Sequence, residues 1–318
     1  MALPRTDRRS SDRSSMAAQP ALRPSRRAWL PALMVGWAAA APMAGAGMVS
    51  ARERATPSAR EQATTASSDP LTGPRSRLPK DWVGLRPLPA NTTILLLAGH
   101  ADSQGIGGSG TSGAAVALRG ATPMYPGISD EHYWNLVIVQ AVESLGRRRG
   151  LAIISHRPPL RTILNGDDPG TNWSAGRAHA AAGGYALELH FDAYGPDGVG
   201  SGLIPALHAP FSQLDESLAA EFGAYPMNFR DRLGGPKRGI SLLEIGKLEG
   251  VLEASLRDPA RRNQTVQTIA ERIVTALERG LGRTSEPTPT ALTPLTPPPG
   301  GADSARSAQR PQASSGGE

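Results

Sequence analysis

Tyr185 to Gly195 reads YALELHFDAYG, and the first eight residues alternate. Tyr185, Leu187, Leu189 and Phe191 fall on one face, and Ala186, Glu188, His190 and Asp192 on the other. That period of two predicts a half-buried β-strand, closed by the turn residues Tyr194-Gly195. A histidine near the end of such a strand sits where open α/β sheets hold their ligands. Two other apolar runs share the pattern. Thr93–Gly99 (TILLLAG) leads straight into His100, and Ile240–Ile245 (ISLLEI) carries Glu244 near its end. Three strands thus deliver His, His and Glu near their C-terminal ends.

Helical patterns lie between these strands. Ser129 is an N-cap followed by Asp130 and Glu131 in the first turn. Trp134, Val137, Ile138, Ala141, Val142 and Leu145 then form one apolar face, and Arg147-Arg148-Arg149-Gly150 closes the helix. Leu151–Ser155 is a strand. Ser174–Ala182 is a short alanine-rich helix, Leu203–Leu207 a strand and Gln213–Phe222 a helix. Asp258-Pro259 reads as an N-cap with proline at the first helical position, opening a helix that carries Val266, Ile269, Ile273 and Leu277 to about Arg279. Residues 101–128 read as one long glycine- and serine-rich loop. The loop has no GxxxxGK[ST] or GxGxxG order, which argues against a nucleotide site. The alternation over 91–282 predicts an α/β domain: a mixed, mostly parallel sheet with helices on both faces, flanked by disordered ends.

The flanks differ in character. Residues 1–27 are polar and arginine-rich, and Ala28–Val49 are uncharged and mostly apolar. This is the layout of an export signal, with a small-residue cleavage site after Ala46. Ser25 to Leu30 (SRRAWL) resembles a twin-arginine motif. The apolar run 28–49 is also long enough to anchor the chain in a membrane, so cleaved signal and anchor both remain open. Residues 50–90 read as a disordered linker and 283–318, rich in Pro, Thr and Ser, as a disordered tail.

Charge excludes one class of partner. Residues 1–87 hold 14 Lys+Arg against 6 Asp+Glu, whereas 88–318 hold 20 against 22. The body is not basic, so it offers no electrostatic face to nucleic acid. There is no cysteine, which excludes disulfides and thiolate-bound zinc or iron–sulfur clusters. A metal here must be held by histidines and carboxylates.

Taken in order, four segments resemble the zinc-dependent N-acetylmuramoyl-L-alanine amidases, which cut bacterial peptidoglycan. They are Leu97-Ala98-Gly99-His100, Glu131-x-x-x-Asn135-Leu136, Arg177 and its alanines leading to Leu189-His190-Phe191-Asp192-Ala193, and Leu243-Glu244-Ile245-Gly246. The resemblance spans 91–282. It implies that His100, Glu131 and His190 bind one Zn2+, that Glu244 is the catalytic carboxylate and that peptidoglycan is the substrate. Two imidazoles and one carboxylate leave a fourth position open, the arrangement of a hydrolytic zinc rather than a structural one. The chain departs from the family in four places. Ala98 replaces an acid, 103–128 looks like an insertion, Glu188 replaces a small residue and Asp192 replaces Asn. Glu188 becomes a candidate partner for the His190 ring. Asp192, Arg177 and His208 are candidate substrate or supporting residues, with Lys237 or Arg238 beside them. His132 is an alternative ligand to Glu131, while His156 and His179 read as structural or exposed. Two other functions share these residues: an inactive amidase fold that binds peptidoglycan or a partner, and a zinc peptidase acting on another amide.

Overall fold

The computed structural model describes residues 68–283, apart from 105, 108, 160, 208, 209 and 232. The candidate export segment, the tail and His208 therefore lie outside the described residues. Among the described residues, five strands form one sheet: β3 (Ile94–Ala98), β4 (Ile153–Ser155), β5 (Tyr185–Asp192), β6 (Gly202–Ile204) and β7 (Ile240–Lys247). Their order is β4-β3-β5-β7-β6, with every pairing parallel except that of β6 with β7. The chain runs from β3 outward to β4 and then returns to β5 on the other side of β3. That reversal makes the C-terminal ends of β3 and β5 a topological switch point, where loops diverge and leave a crevice.

Helices cover both faces. On one, α2 (Asp130–Arg148), α4 (Gln213–Phe222), α5 (Gly250–Arg257) and α6 (Arg262–Gly280) bury the main core, including Trp134, Leu218, Leu256 and Ile273. On the other, α3 (Asn172–Ala181) places Trp173 and Ala175 against Leu95, Leu97, Ala186 and Ile240. This is the mixed, mostly parallel α/β sheet that the alternating pattern predicts. The strand β5 is not half-exposed, however: all eight of its residues are buried. Its polar positions are enclosed rather than open to bulk water, as a central strand of a covered sheet requires.

Other local expectations need correction. The stretch 101–128 is not all loop, because α1 spans Gly113–Arg119. Its Ala114 and Ala115 are buried, Ala115 N donates to Glu253 Oε1 at 2.7 Å and Arg119 pairs with Glu253 Oε2 at 2.8 Å. A buried carboxylate from α5 thus satisfies the start of α1, which no local pattern announces. Asp258 ends α5 instead of opening the last helix. Its carboxylate accepts from Ala260 N and pairs with Arg261, so Pro259 lies in a turn and α6 begins at Arg262.

Residues 68–90 are not a free linker. Strands β1 (Ser68–Asp69) and β2 (Gly73–Pro74) form a hairpin, and the chain then straps across the body. Ser76 N donates to Ser201 O at 2.8 Å and Arg86 N to Phe211 O at 2.9 Å. Trp82 is 5% exposed, packs 5.5 Å from the Phe211 ring and donates to Tyr225 O at 2.8 Å. Burying an indole against the core matters, since removing a buried Trp costs about 3–5 kcal/mol. A chain starting at residue 88 is therefore expected to melt roughly 6–20 °C below one starting at residue 68, at about 2–4 °C per kcal/mol for a domain of this size. Equal melting temperatures by calorimetry would show that the strap contributes nothing.

Candidate metal centre

The first group comes from the end of β3. Gly99 N donates to Leu189 O, which extends the β3–β5 ladder to the turn, and His100 then adopts a left-handed φ of 63°. That conformation is uncommon for a residue with a side chain. It throws the imidazole back over the crevice, where the His100 and His190 rings meet edge to face at 4.8 Å. Gly99 is required here, because a Cβ would sit 2.4 Å from the His190 ring.

The second group comes from the start of α2. Ser129 accepts from His132 N at 3.2 Å and caps the helix as its sequence predicts. Glu131 and Asn135, four residues apart, lie on one face of the helix. Asn135 Nδ2 donates to Gly99 O at 3.1 Å and so fixes the helix to the end of β3. Glu131 Oε1 then lies 3.1 Å from His100 Nε2 and 3.1 Å from His190 Nδ1. One ligand atom from each of His100, Glu131 and His190 lies within 4.8 Å of the others, the spread that can surround a cation. His132, the alternative ligand, is buried outside this trio with its Nδ1 unpartnered.

The third group is supplied by β5 and β7. His190 and Glu244 are register partners, so their side chains share a face of the sheet. The register shifts immediately beyond them, between His190 and Asp192. Bulges next to sites commonly re-aim side chains in this way. Glu244 is half-buried as a residue, yet its Oε2 is enclosed and has no hydrogen-bond partner. Burial pushes its pKa up to about 8; the charge of His190 opposes that shift, and those of Asp192 and Glu131 reinforce it.

Electrostatics show what the trio lacks. Burial alone would raise the pKa of Glu131, but the charges and hydrogen bonds of His100 and His190 hold it far below the carboxylate range. Burial alone would keep His190 neutral, but its hydrogen bond to Glu131 and the neighbouring carboxylates of Glu188 and Glu244 hold its pKa well above the histidine range. Glu188, buried behind the ring, reaches His190 Nε2 at 3.6 Å, and Asn172 Nδ2 donates to it at 3.4 Å. A proton on Nε2, 3.6 Å from the Glu188 carboxylate, leaves His190 Nδ1 with a lone pair towards Glu131 Oε1. Two lone pairs face each other unless a positive charge lies between them. The donor set therefore fits a cation, and in its absence a proton on His190 takes that place.

The other predicted residues sit farther out. Asp192 is committed to its own loop: its carboxylate accepts from Ala193 N at 2.8 Å, from Gly200 N at 2.8 Å and from Val199 N. Arg177 is exposed and pairs with Asp167 at 3.1 Å, and none of its hydrogen bonds or ion pairs reaches the trio. The Arg238 guanidinium stacks 4.4 Å from the Trp173 ring centre. His156 bonds Gly170 O and His179 bonds Thr93 O, both structural contacts. Sequence reasoning missed Asp102 and Asn172. Asp102 Oδ2 accepts from Asn172 N at 2.7 Å, and Asn172 Nδ2 reaches both Ala98 O and Glu188. An Asn at the start of an alanine-rich helix gives no local sign of that reach.

No family model and no curated protein matches the chain. Solved structures similar to it include N-acetylmuramoyl-L-alanine amidases. One is the catalytic domain of CwlV from Bacillus (Paenibacillus) polymyxa var. colistinus, at 15% identity, 60% of this chain, 99% of that chain and a TM-score of 0.42. Another is Ami1 from Mycobacterium smegmatis, at 19% identity, 61% of this chain, 99% of that chain and a TM-score of 0.41. A third, from Clostridium difficile 630, has 11% identity, 61% of this chain, 100% of that chain and a TM-score of 0.41. Likenesses this distant assign no chemistry to the chain, whose function rests on its own residues.

Proposed function

We propose that the chain is an exported zinc hydrolase that cleaves the amide between N-acetylmuramic acid and L-alanine in peptidoglycan. The observation that carries this reading is the meeting of His100, Glu131 and His190 around one point, with Glu244 as the register partner of His190. Two imidazoles and one carboxylate would hold Zn2+ with a position left open for water and substrate. When bound, zinc lowers the pKa of water towards about 7 and polarises the scissile carbonyl.

The chain's own groups do the rest. Glu131 supplies the negative charge, and His100 and His190 supply neutral nitrogens. Glu188 receives the outer proton of His190 and keeps the ring from turning. Glu244 takes a proton from the attacking water and passes it to the amide nitrogen as the C–N bond breaks. Residues 1–49 would direct export, with 28–49 serving as a cleaved signal or as a membrane anchor. Among the described residues no helix is long and apolar enough to cross a membrane.

The test is the product. Purified protein incubated with zinc and peptidoglycan is expected to release stem peptides with a free N-terminal alanine. Cuts within the stem would instead make it a peptidase. Zinc and peptidoglycan bound without any product would make it an inactive binding fold.

A further inference from the structure

The loop after β3 touches the trio from outside at two points. Ser109 Oγ lies 2.8 Å from His100 Nδ1, the ring nitrogen turned away from Glu131. Ser103 Oγ lies 3.3 Å from the same nitrogen, and the two hydroxyls touch each other. Two residues beyond Ser109, Thr111 N donates to Glu131 Oε2 at 2.7 Å, and Glu131 N donates back to Thr111 O at 3.1 Å. Gly110 lets the loop approach this closely: its φ is 75°, and a Cβ there would sit 2.8 Å from Ser129 Oγ and 3.3 Å from His100 Cγ. One segment therefore grips the far side of two of the three ligands.

We propose that Ser109, supported by Ser103, is a positioning residue that sets the proton of His100 on Nδ1, so that Nε2 faces the metal as a lone pair. The inference rests on the zinc reading given above. A neutral imidazole carries one N–H, and ligation through Nε2 requires that proton on Nδ1 with an acceptor to receive it. Ser109 is placed to accept it and to pass its own hydroxyl proton on to Ser103. A hydroxyl can also donate. In the metal-free protein, Nε2–H can therefore donate to Glu131 Oε1 while Ser109 donates to Nδ1. The ring keeps one orientation in both states, and only the protons move. His190 is held differently: the side chain beyond its Nε2 is the Glu188 carboxylate, 3.6 Å away, and not a hydroxyl. The stretch that the sequence marks as an insertion thus supplies the outer partner of one ligand.

The experiment measures zinc affinity of the full chain by competition with a chelator, alongside melting of the metal-free form. Loss of an outer partner typically weakens metal binding about 10–100-fold, and Ser109→Ala is expected to fall in that range while still folding. Ser109→Thr, which keeps the hydroxyl, is expected to recover most of the affinity, which a purely packing role would not explain. A Ser109→Ala protein that binds zinc as tightly as wild type overturns the proposal and leaves the zinc reading standing. A wild type that binds no zinc overturns both. Imidazole 15N shifts of the zinc-loaded wild type give a check that does not depend on any variant. The proton of His100 is expected on Nδ1, and finding it on Nε2 overturns the assignment.

Discussion

Glu244→Gln is expected to reduce peptidoglycan hydrolysis by about 10²–10⁴-fold, the usual contribution of a positioned proton-transfer group, and to leave zinc content unchanged. Gln preserves the shape of the side chain on β7 and removes only its ability to take and return a proton. The His100–Glu131–His190 trio is untouched, so the loss falls on the chemical step and appears in kcat. A separate effect follows for the metal-free protein. The pKa of Glu244 is raised from 4.5 to about 8, so the folded state binds this proton more tightly than the unfolded state does. Stability then falls as pH rises between those two values, because ionising an enclosed carboxylate is opposed by its surroundings. Glu244→Gln is expected to flatten that part of the stability profile in denaturant titrations at several pH values. Full activity in the variant would remove Glu244 from the mechanism, and loss of zinc would make it a ligand instead.

The residues that meet in the candidate site were legible because each stands near the end of a regular element. His100 and His190 follow apolar strand patterns, Glu131 follows a helix cap and Glu244 sits in a third strand. Position along an element is a local property that periodicity reveals. The partners that hold these residues come from elsewhere in the chain. Ser109 reaches His100 from inside a loop, and Asn172 joins Ala98 to Glu188 across 74 and 16 residues. Helix α1 draws its N-terminal support from Glu253, 138 residues away. The strap depends on Trp82 entering a core built by other segments, and one aromatic residue makes no pattern. Such features follow from tertiary contact, which neither composition nor spacing encodes.

His190→Ala is expected to weaken zinc binding more than about 100-fold, since losing even an outer partner carries about 10–100-fold. Glu131→Gln is expected to weaken it too, because the amide keeps an oxygen near His100 and His190 but removes the charge that holds a cation between them. The pH dependence separates a true cation site from incidental proximity. His190 carries a pKa well above 6.5 in the metal-free protein, so below that pKa a proton holds the place of the metal. Zinc must displace this proton, and its apparent affinity should fall as pH falls, starting above the range of an ordinary histidine. The sign for stability follows. A raised histidine pKa stabilises the metal-free fold fully below about 6.5, and that contribution disappears as pH rises through the folded value. Zinc replaces it at high pH, so the gain in melting temperature on adding zinc should grow as pH increases. Glu131→Gln removes the carboxylate that holds the His190 proton, and its metal-free form should lose much of this pH dependence. The measurement is melting with and without zinc across pH for wild type and both variants. A zinc-induced gain that is flat with pH, or one that survives His190→Ala, would place the metal elsewhere in the chain.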